Sequence, residues 1–177
     1  MESAGASPGG LIDEAVSDTQ TVRPDGSRPA PRIEGVHFRP AVPQVDERGV
    51  LTEIFSLAWE EGAAPPHVYL VEALPGSVRG WVVHREQTDR LFFSDGIAKV
   101  GLFDARPGSP SEGVGELLYL GIHHPGLLTI PPGVFHGIRN VGTGILRFVN
   151  LPSAAYNHAH PDKHRLSPRH PAIPVDL

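Results

Sequence analysis

The chain has 177 residues, 40% of them apolar, with 20 glycines, 19 prolines and no cysteine; this suits one domain of short strands and turns and excludes disulfides and thiolate metal sites, leaving histidine, carboxylate or water for any metal. The net charge is −5 with no basic run, which argues against nucleic acid and anionic membranes as partners. No apolar window of about 18 residues predicts a membrane-spanning helix, and no basic start followed by an apolar stretch marks a secretory signal, so a cytoplasmic location is expected.

Residues 1–34 are rich in Ser, Gly, Pro, Asp and Arg with little apolar periodicity and are expected to form a flexible leader, or else an arm crossing to a partner subunit. From residue 35 onward short apolar runs alternate with turn residues. The pattern predicts strands over 35–40, 50–56, 67–73, 78–84, 90–94, 98–104, 115–121, 127–130, 137–141 and 145–151. Between them lie Asp46-Glu47-Arg48-Gly49, Leu74-Pro75-Gly76, Ser94-Asp95-Gly96, Arg106-Pro107-Gly108 and Asn140-Val141-Gly142, each a turn by composition. One helical turn is expected over 161–166. The segment 167–177, with Pro168 and Pro171, reads as a C-terminal tail. Many short strands with regular punctuation indicate an all-β sandwich or barrel over 35–166.

Two stretches carry the chemistry. In the first, Gly76 is followed by Val82, His84, Asp89 and Gly96; the second runs from Pro131 through Gly133 and His136 to Asn140. Side chains alternate across a strand, so positions 82 and 84 share a face, which in a barrel is the interior. Asp89 opens the next strand and can point into the same cavity, and His136 arrives from another strand after a turn that Gly133 permits. Two histidines and one carboxylate form a set that suits Fe(II), with open positions left over; the same three would serve equally as polar lining or a satisfied hydrogen-bond network. Taken together, the stretches resemble the two halves of a cupin metal box, with Val82 where the first histidine usually stands. The resemblance implies a double-stranded β-helix, or cupin jelly roll.

From about residue 44 to 166 the chain resembles the dTDP-4-dehydrorhamnose 3,5-epimerase family of cupins. The matching residues are Asp46-Glu47-Arg48-Gly49 with Glu53-Ile54-Phe55, Arg79-Gly80-Trp81, Gln87, Asp104-Ala105-Arg106 with Ser109-Pro110, Ile130-Pro131-Pro132-Gly133-Val134-Phe135-His136-Gly137, and Ala155-Tyr156-Asn157. The resemblance implies a homodimeric barrel that holds a nucleotide-linked 4-keto sugar and needs no cofactor. In that family a histidine removes the proton beside the ketone, a lysine supports the enolate and a tyrosine returns a proton from the other face. Here those positions fall on Val82, Asp89 and, counted back from Tyr156, close to Asn150, which points away from an ordinary 3,5-epimerase. Arg79 matches the arginine that holds the diphosphate, a role that suits a forked guanidinium; a rim ion pair with Glu53 or Asp104 is the structural alternative. Asp104 and Arg106 read as a structural pair at a turn.

Several other residues attract attention. Trp81, Phe92 and Phe93 flank the first stretch and could stack on a flat ligand ring, although core packing is the more common fate of such residues. Tyr156 is either a proton donor or the packed end of the last strand. His123 and His124 point in opposite directions if extended and read as loop residues. The polar stretch 157–165, with His158, His160 and His164, is expected to be a solvated surface tail, with a lid over the barrel mouth as the alternative.

Three functions follow. The first is an epimerase-like isomerase working by proton transfer on a nucleotide-linked 4-keto sugar or related carbonyl metabolite. It would use His84 and His136 as acid and base and Asp89 to orient them, with Arg79, Gln87, Trp81, Tyr156 and Asn150 contacting substrate. The second is a metal-dependent oxygenase or isomerase in which His84, Asp89 and His136 hold a divalent first-row metal such as Fe(II). The third is a non-catalytic barrel that binds a sugar nucleotide or other metabolite.

Overall fold

The computed structural model describes residues 10–18, 20–59 and 64–177. The chain divides into two compact units, Met1–Ala30 and Pro31–Leu177. Residues 1–9 and 19 of the expected leader lie outside the described residues. The rest of the first unit holds a five-residue helix, α1 (Gly10–Glu14), and a turn in which Arg23 and Ser27 bond through their backbones at 2.8 Å while Asp25 accepts from Ser27.

The second unit contains strands β1 (His37–Pro40), β2 (Gln44–Asp46), β3 (Gly49–Leu51), β4 (Tyr69–Ala73), β5 (Val78–Val83), β6 (Asp89–Asp95), β7 (Ile97–Asp104), β8 (Gly115–Gly121), β9 (Gly126–Ile130), β10 (Val134–Asn140), β11 (Leu146–Asn150) and β12 (His164–Arg165). They form two five-stranded antiparallel sheets, in the orders β1-β9-β6-β11-β4 and β12-β5-β10-β7-β8, plus the hairpin β2–β3. This is the expected all-β jelly roll.

Alternation along the strands builds the layers. Leu91 and Phe93 of β6, Val100 and Leu102 of β7, Leu128 and Ile130 of β9, and Leu146 and Phe148 of β11 are buried together between the sheets. Phe92, one residue out of phase, faces the other side of its sheet, where it packs with Leu127, Leu151, Phe55 and Trp59. Burying a large apolar side chain stabilises the fold by about 1.5–3 kcal/mol, so this phase is strongly held; a one-residue slip would turn every inner residue outward.

Four local expectations are corrected. Residues 50–56 do not form one strand: pairing with β2 ends at Leu51 opposite Gln44, and Ile54 and Phe55 beyond it pack instead against Phe92, Leu127 and Leu151. Residues 161–166 are not helical: His164 and Arg165 pair with Val83 and Val82, and Trp81 and Leu166 exchange backbone bonds, so the edge of β5 takes up this segment as a strand. The leader ends before residue 34, since Ile33 is core (2% exposed) and the Arg32 and Glu34 amides bond to Glu116 and Ser111. The tail is also structural. Ile173 and Leu177 bury Trp81 on the outer face of the second sheet. Leu177 lies over Gly80, Gly101 and Gly137, and a Cβ at Gly101 or Gly137 would collide with it. Its apolar burial outweighs the irregular backbone that proline imposes on 167–177.

Candidate active site

The inner faces of several strands change from apolar to polar at one end of the sandwich. Along β6 the inward series is Phe93, Leu91, Asp89; along β11 it is Leu146, Phe148, Asn150; along β4 it is Ala73, Val71, Tyr69. Each series ends on a group able to hydrogen-bond. On the facing sheet His136 of β10 is registered opposite Val82 of β5, so the two share a face, and His84 follows just beyond the end of β5. Gly133 turns the chain into β10 at φ 81°, and its N–H donates to the His84 carbonyl at 2.8 Å, fixing the two histidine-bearing segments to each other.

The result is a buried cluster. His84 Nε2 lies 3.3 Å and His136 Nε2 lies 3.2 Å from the same oxygen of Asp89, Oδ2, and the imidazole rings stack at 5.8 Å. The other oxygen, Oδ1, accepts from Gln87 Nε2 at 2.7 Å and from Asn150 Nδ2 at 3.4 Å. Asn150 Nδ2 also donates to the Tyr69 phenol oxygen at 2.7 Å, while Asn150 Oδ1 is buried without a partner among the described residues. His84 Nδ1 meets the backbone carbonyl of Asp162, and His136 Nδ1 lies 3.4 Å from the Val134 carbonyl.

Charge follows from these contacts. Burial works against ionisation of Asp89, but the hydrogen bonds and positive charge of His136 and His84 outweigh it and hold the carboxyl well below the usual carboxylate range. Burial pulls the His84 pKa down, yet Asp89 and the Asp162 carbonyl together raise it above the ordinary value. Acceptors face both nitrogens of His84, and only the imidazolium can donate to both at once. The cluster is therefore an ion pair extended by a second imidazole.

Above it opens a cavity of about 520 Å³, walled in part by Tyr69, His84, Gln87, Tyr156, Asp162 and Lys163. Arg90 secures one wall by donating to the Leu151 carbonyl at 2.9 Å. Asn157, His160, Asp162 and Lys163 of the stretch 157–165 also line the cavity, and the stretch lies at the surface, exposed except at Asp162. The Asp162 carboxylate accepts from the backbone N–H groups of Arg85, Glu86 and Gln87 at 2.8–2.9 Å and so fixes this segment across the mouth. Its carbonyl is thereby brought onto His84.

His84, Asp89 and His136 thus converge, and Gln87 and Asn150 join them. Tyr156 lines the cavity from a loop, half-exposed, its ring edge-on to His158, rather than closing the last strand. Trp81 does not reach the cavity: the period of 2 along β5 turns it away from Val82 and into the cluster with Leu177, which corrects its expected place among the substrate contacts. Arg79 is exposed and donates to the Glu72 carbonyl at 3.0 Å. Asp104 and Arg106 form the expected turn pair, at 2.8 Å. Sequence reasoning missed Tyr69, Asp162 and Lys163. Tyr69 could have been found from alternation along 67–73; the other two carry no local signal.

No protein-family model matches the chain. It is 32% identical over 138 residues to the probable low-salt glycan biosynthesis epimerase Agl13 of Haloferax volcanii, across 77% of this chain and 88% of that protein. The chain belongs to the sugar-epimerase family of cupins. Its identity to the spore coat polysaccharide biosynthesis protein SpsL of Bacillus subtilis is also 32%, across 76% of this chain and 89% of that protein. The structure of a dTDP sugar isomerase from Desulfovibrio desulfuricans superposes with a TM-score of 0.76 at 25% identity, over 81% of this chain and 91% of that one. Among the described residues no helix is long and apolar enough to cross a membrane.

Proposed function

We propose that this epimerase-family cupin is an isomerase acting by proton transfer on a nucleotide-linked 4-keto sugar. The observation that carries the reading is the convergence of His84 and His136 on one oxygen of Asp89 beneath an open cavity. His84, with acceptors on both nitrogens, is the proton-carrying member. His136 is its acid–base partner, and Asp89 orients both and balances the charge. Gln87 and Tyr156 contact the sugar, Asn150 holds Asp89 in place, and the exposed guanidinium of Arg79 takes the diphosphate. The names of Agl13, an epimerase, and of the dTDP sugar isomerase support the substrate class. Solvent-deuterium exchange at the carbon beside the ketone, followed by NMR, tests the chemistry. Exchange in the wild type and its loss in His136→Asn, with folding intact, is the expected result. Wild-type exchange in that variant would sink the assignment, and sugar-nucleotide binding without any exchange would indicate a non-catalytic binder.

One observation favours a second reading. The ligand atoms of His84, Asp89 and His136 lie within 4.8 Å of one another, and the 3.2–3.3 Å spacings suit donors sharing a metal at about 2.0–2.2 Å. A stoichiometric first-row metal in protein purified without a histidine tag, lost in His84→Ala, would establish this reading; turnover unchanged by exhaustive chelation would remove it.

The working assembly we propose is a homodimer, supported by Val45 and Val50, cross-strand partners on one face of the β2–β3 hairpin that are 75% and 65% exposed and suit an apolar contact with a second copy. Light scattering that gives a monomer at micromolar concentration would overturn it.

A further inference from the structure

A proton carried by His84 reaches a substrate only through a ring nitrogen that the protein leaves open, and in this structure every ring nitrogen of the cluster is taken. The Nε2 atoms of His84 and His136 both face Asp89 Oδ2. His136 Nδ1 lies 3.4 Å from the Val134 carbonyl, and His84 Nδ1 meets the backbone carbonyl of Asp162. Turnover therefore requires one of these contacts to be exchanged for a contact with substrate.

The contacts differ in what their release costs. Those to Asp89 join charges in a buried ion pair, and separating one leaves a charge inside the fold without its partner. The Val134 carbonyl belongs to a residue 1% exposed in β10 and moves only with the sheet. The Asp162 carbonyl belongs to the stretch 157–165, which is exposed except at Asp162 itself and whose strand β12 is two residues long. Its latch is the set of bonds from the Arg85, Glu86 and Gln87 amides to the Asp162 carboxylate. These lie at the surface, where water takes over both ends and the net cost of a broken bond is small. Lys163 also feels the charge of Arg165 and that of Arg79 on β5, like charges that work against closure. A segment with few buried contacts opens at low free energy, so the Asp162 contact is the one that yields.

Chemistry says what takes its place. A peptide carbonyl and a ketone present the same kind of oxygen to a donor, and His84, the cluster member that lines the cavity, meets that oxygen beside Asp162 on the cavity wall. Resting on the proton-transfer function proposed above, we infer that the Asp162 carbonyl occupies the ketone-oxygen subsite, that His84 Nδ1 is the donor receiving the substrate there, and that residues 157–165 are a strap displaced by the incoming ketone. An imidazolium N–H at that point stabilises the negative charge that grows on the ketone oxygen as the neighbouring C–H bond breaks. The closed strap lowers the apparent affinity for ketone by the fraction of molecules that are open.

The test uses the full chain with dTDP- and UDP-linked 4-keto sugars, and with dTDP and UDP alone as ligands that carry no ketone. Asp162→Ala removes the latch and keeps the carbonyl. KM for the keto sugars is expected to fall by on the order of 10-fold, while the dissociation constants of dTDP and UDP stay within about 2-fold of wild type; a merely structural role would weaken both kinds of ligand. Asp162→Asn, which keeps one side-chain acceptor for the same amides, is expected to lie between wild type and Asp162→Ala and is read in its place if Asp162→Ala does not fold. In the wild type the Asp162 carbonyl carbon signal, assigned by NMR from its loss in Asp162→Asn, is expected to shift on saturation with keto sugar and to stay in place with dTDP or UDP. A signal unmoved under turnover, a shift with nucleotide alone, or a KM unchanged or higher in both variants would overturn the strap and leave the proton-transfer function standing. A wild type that exchanges no deuterium into any of these sugars removes that function, and the strap's role with it.

Discussion

Two buried carboxylates sit at different places in this barrel and are neutralised in different ways. Asp104, wholly buried at the end of β7, is bonded to Arg106, Ser109 and Ser111, and these contacts, Arg106 foremost, hold its pKa well below the usual range. Asp89, at the start of β6, is held by two histidines and two side-chain amides. Arginine keeps its charge at every ordinary pH, whereas histidine gains or loses one near neutrality. The first arrangement therefore staples a turn, and the second holds a proton that can move. A carboxylate's burial does not distinguish structure from chemistry, but the kind of cation beside it does.

The sharpest way to break this comparison is to neutralise each carboxylate in turn. Asp104→Asn is expected to lower unfolding free energy by about 2 kcal/mol in chemical denaturation, since Arg106, Ser109 and Ser111 lose the charged acceptor they share, with turnover per folded molecule unchanged. Asp89→Asn is expected to reduce turnover by on the order of 10²-fold with a smaller loss of stability, because His84 and His136 can discharge where Arg106 cannot. Equal stability losses in the two variants would mean that the histidine cluster is a structural pair as well.

The pH dependence of stability separates them further. The raised His84 pKa means that folding favours its protonated form; that contribution is complete below the ordinary histidine value of 6.5 and is lost as pH rises through the folded value. Both aspartates, with lowered values, contribute above the ordinary 3.8 and lose that contribution as pH falls through their folded values. Thermal melts between pH 6 and 8 are thus expected to show stability declining with rising pH in the wild type and in Asp104→Asn, and a flatter profile in Asp89→Asn. The smallest effects come from single donors. Ser111→Ala, which removes a 2.6 Å bond to Asp104, is expected to cost about 1 kcal/mol of stability. Gln87→Ala, which removes a 2.7 Å bond to Asp89 at the cavity wall, is likewise expected to cost about 1 kcal/mol while raising KM.

Much of the barrel was legible because its signals are local. Alternation along 78–84 and 90–94 and the turn residues at Gly76, Gly96 and Gly133 locate β5, β6 and the entry to β10. The same period of 2 predicts that His84, Asp89 and His136 share one interior. The length of β3 and the strand β12 were misjudged where the packing of Ile54 and Phe55 or an edge pairing overrode local composition. Trp81 was misplaced because alternation gives its face but not what covers that face, and Leu177 lies 96 positions further along the chain.

The sequence by itself determined the strand phase, the all-β architecture and the three residues of the buried cluster, since each depends on spacing within a few residues of the chain. Only the tertiary structure decided that Asp162 fixes residues 157–165 across the mouth and sets its carbonyl on His84, that Lys163 and Tyr69 line the cavity, and that residues 31–34 and 173–177 belong to the packed body. Those outcomes come from contacts between segments tens of residues apart, where the competition between apolar burial, backbone pairing and charge is settled by which surfaces the folded sheets leave open.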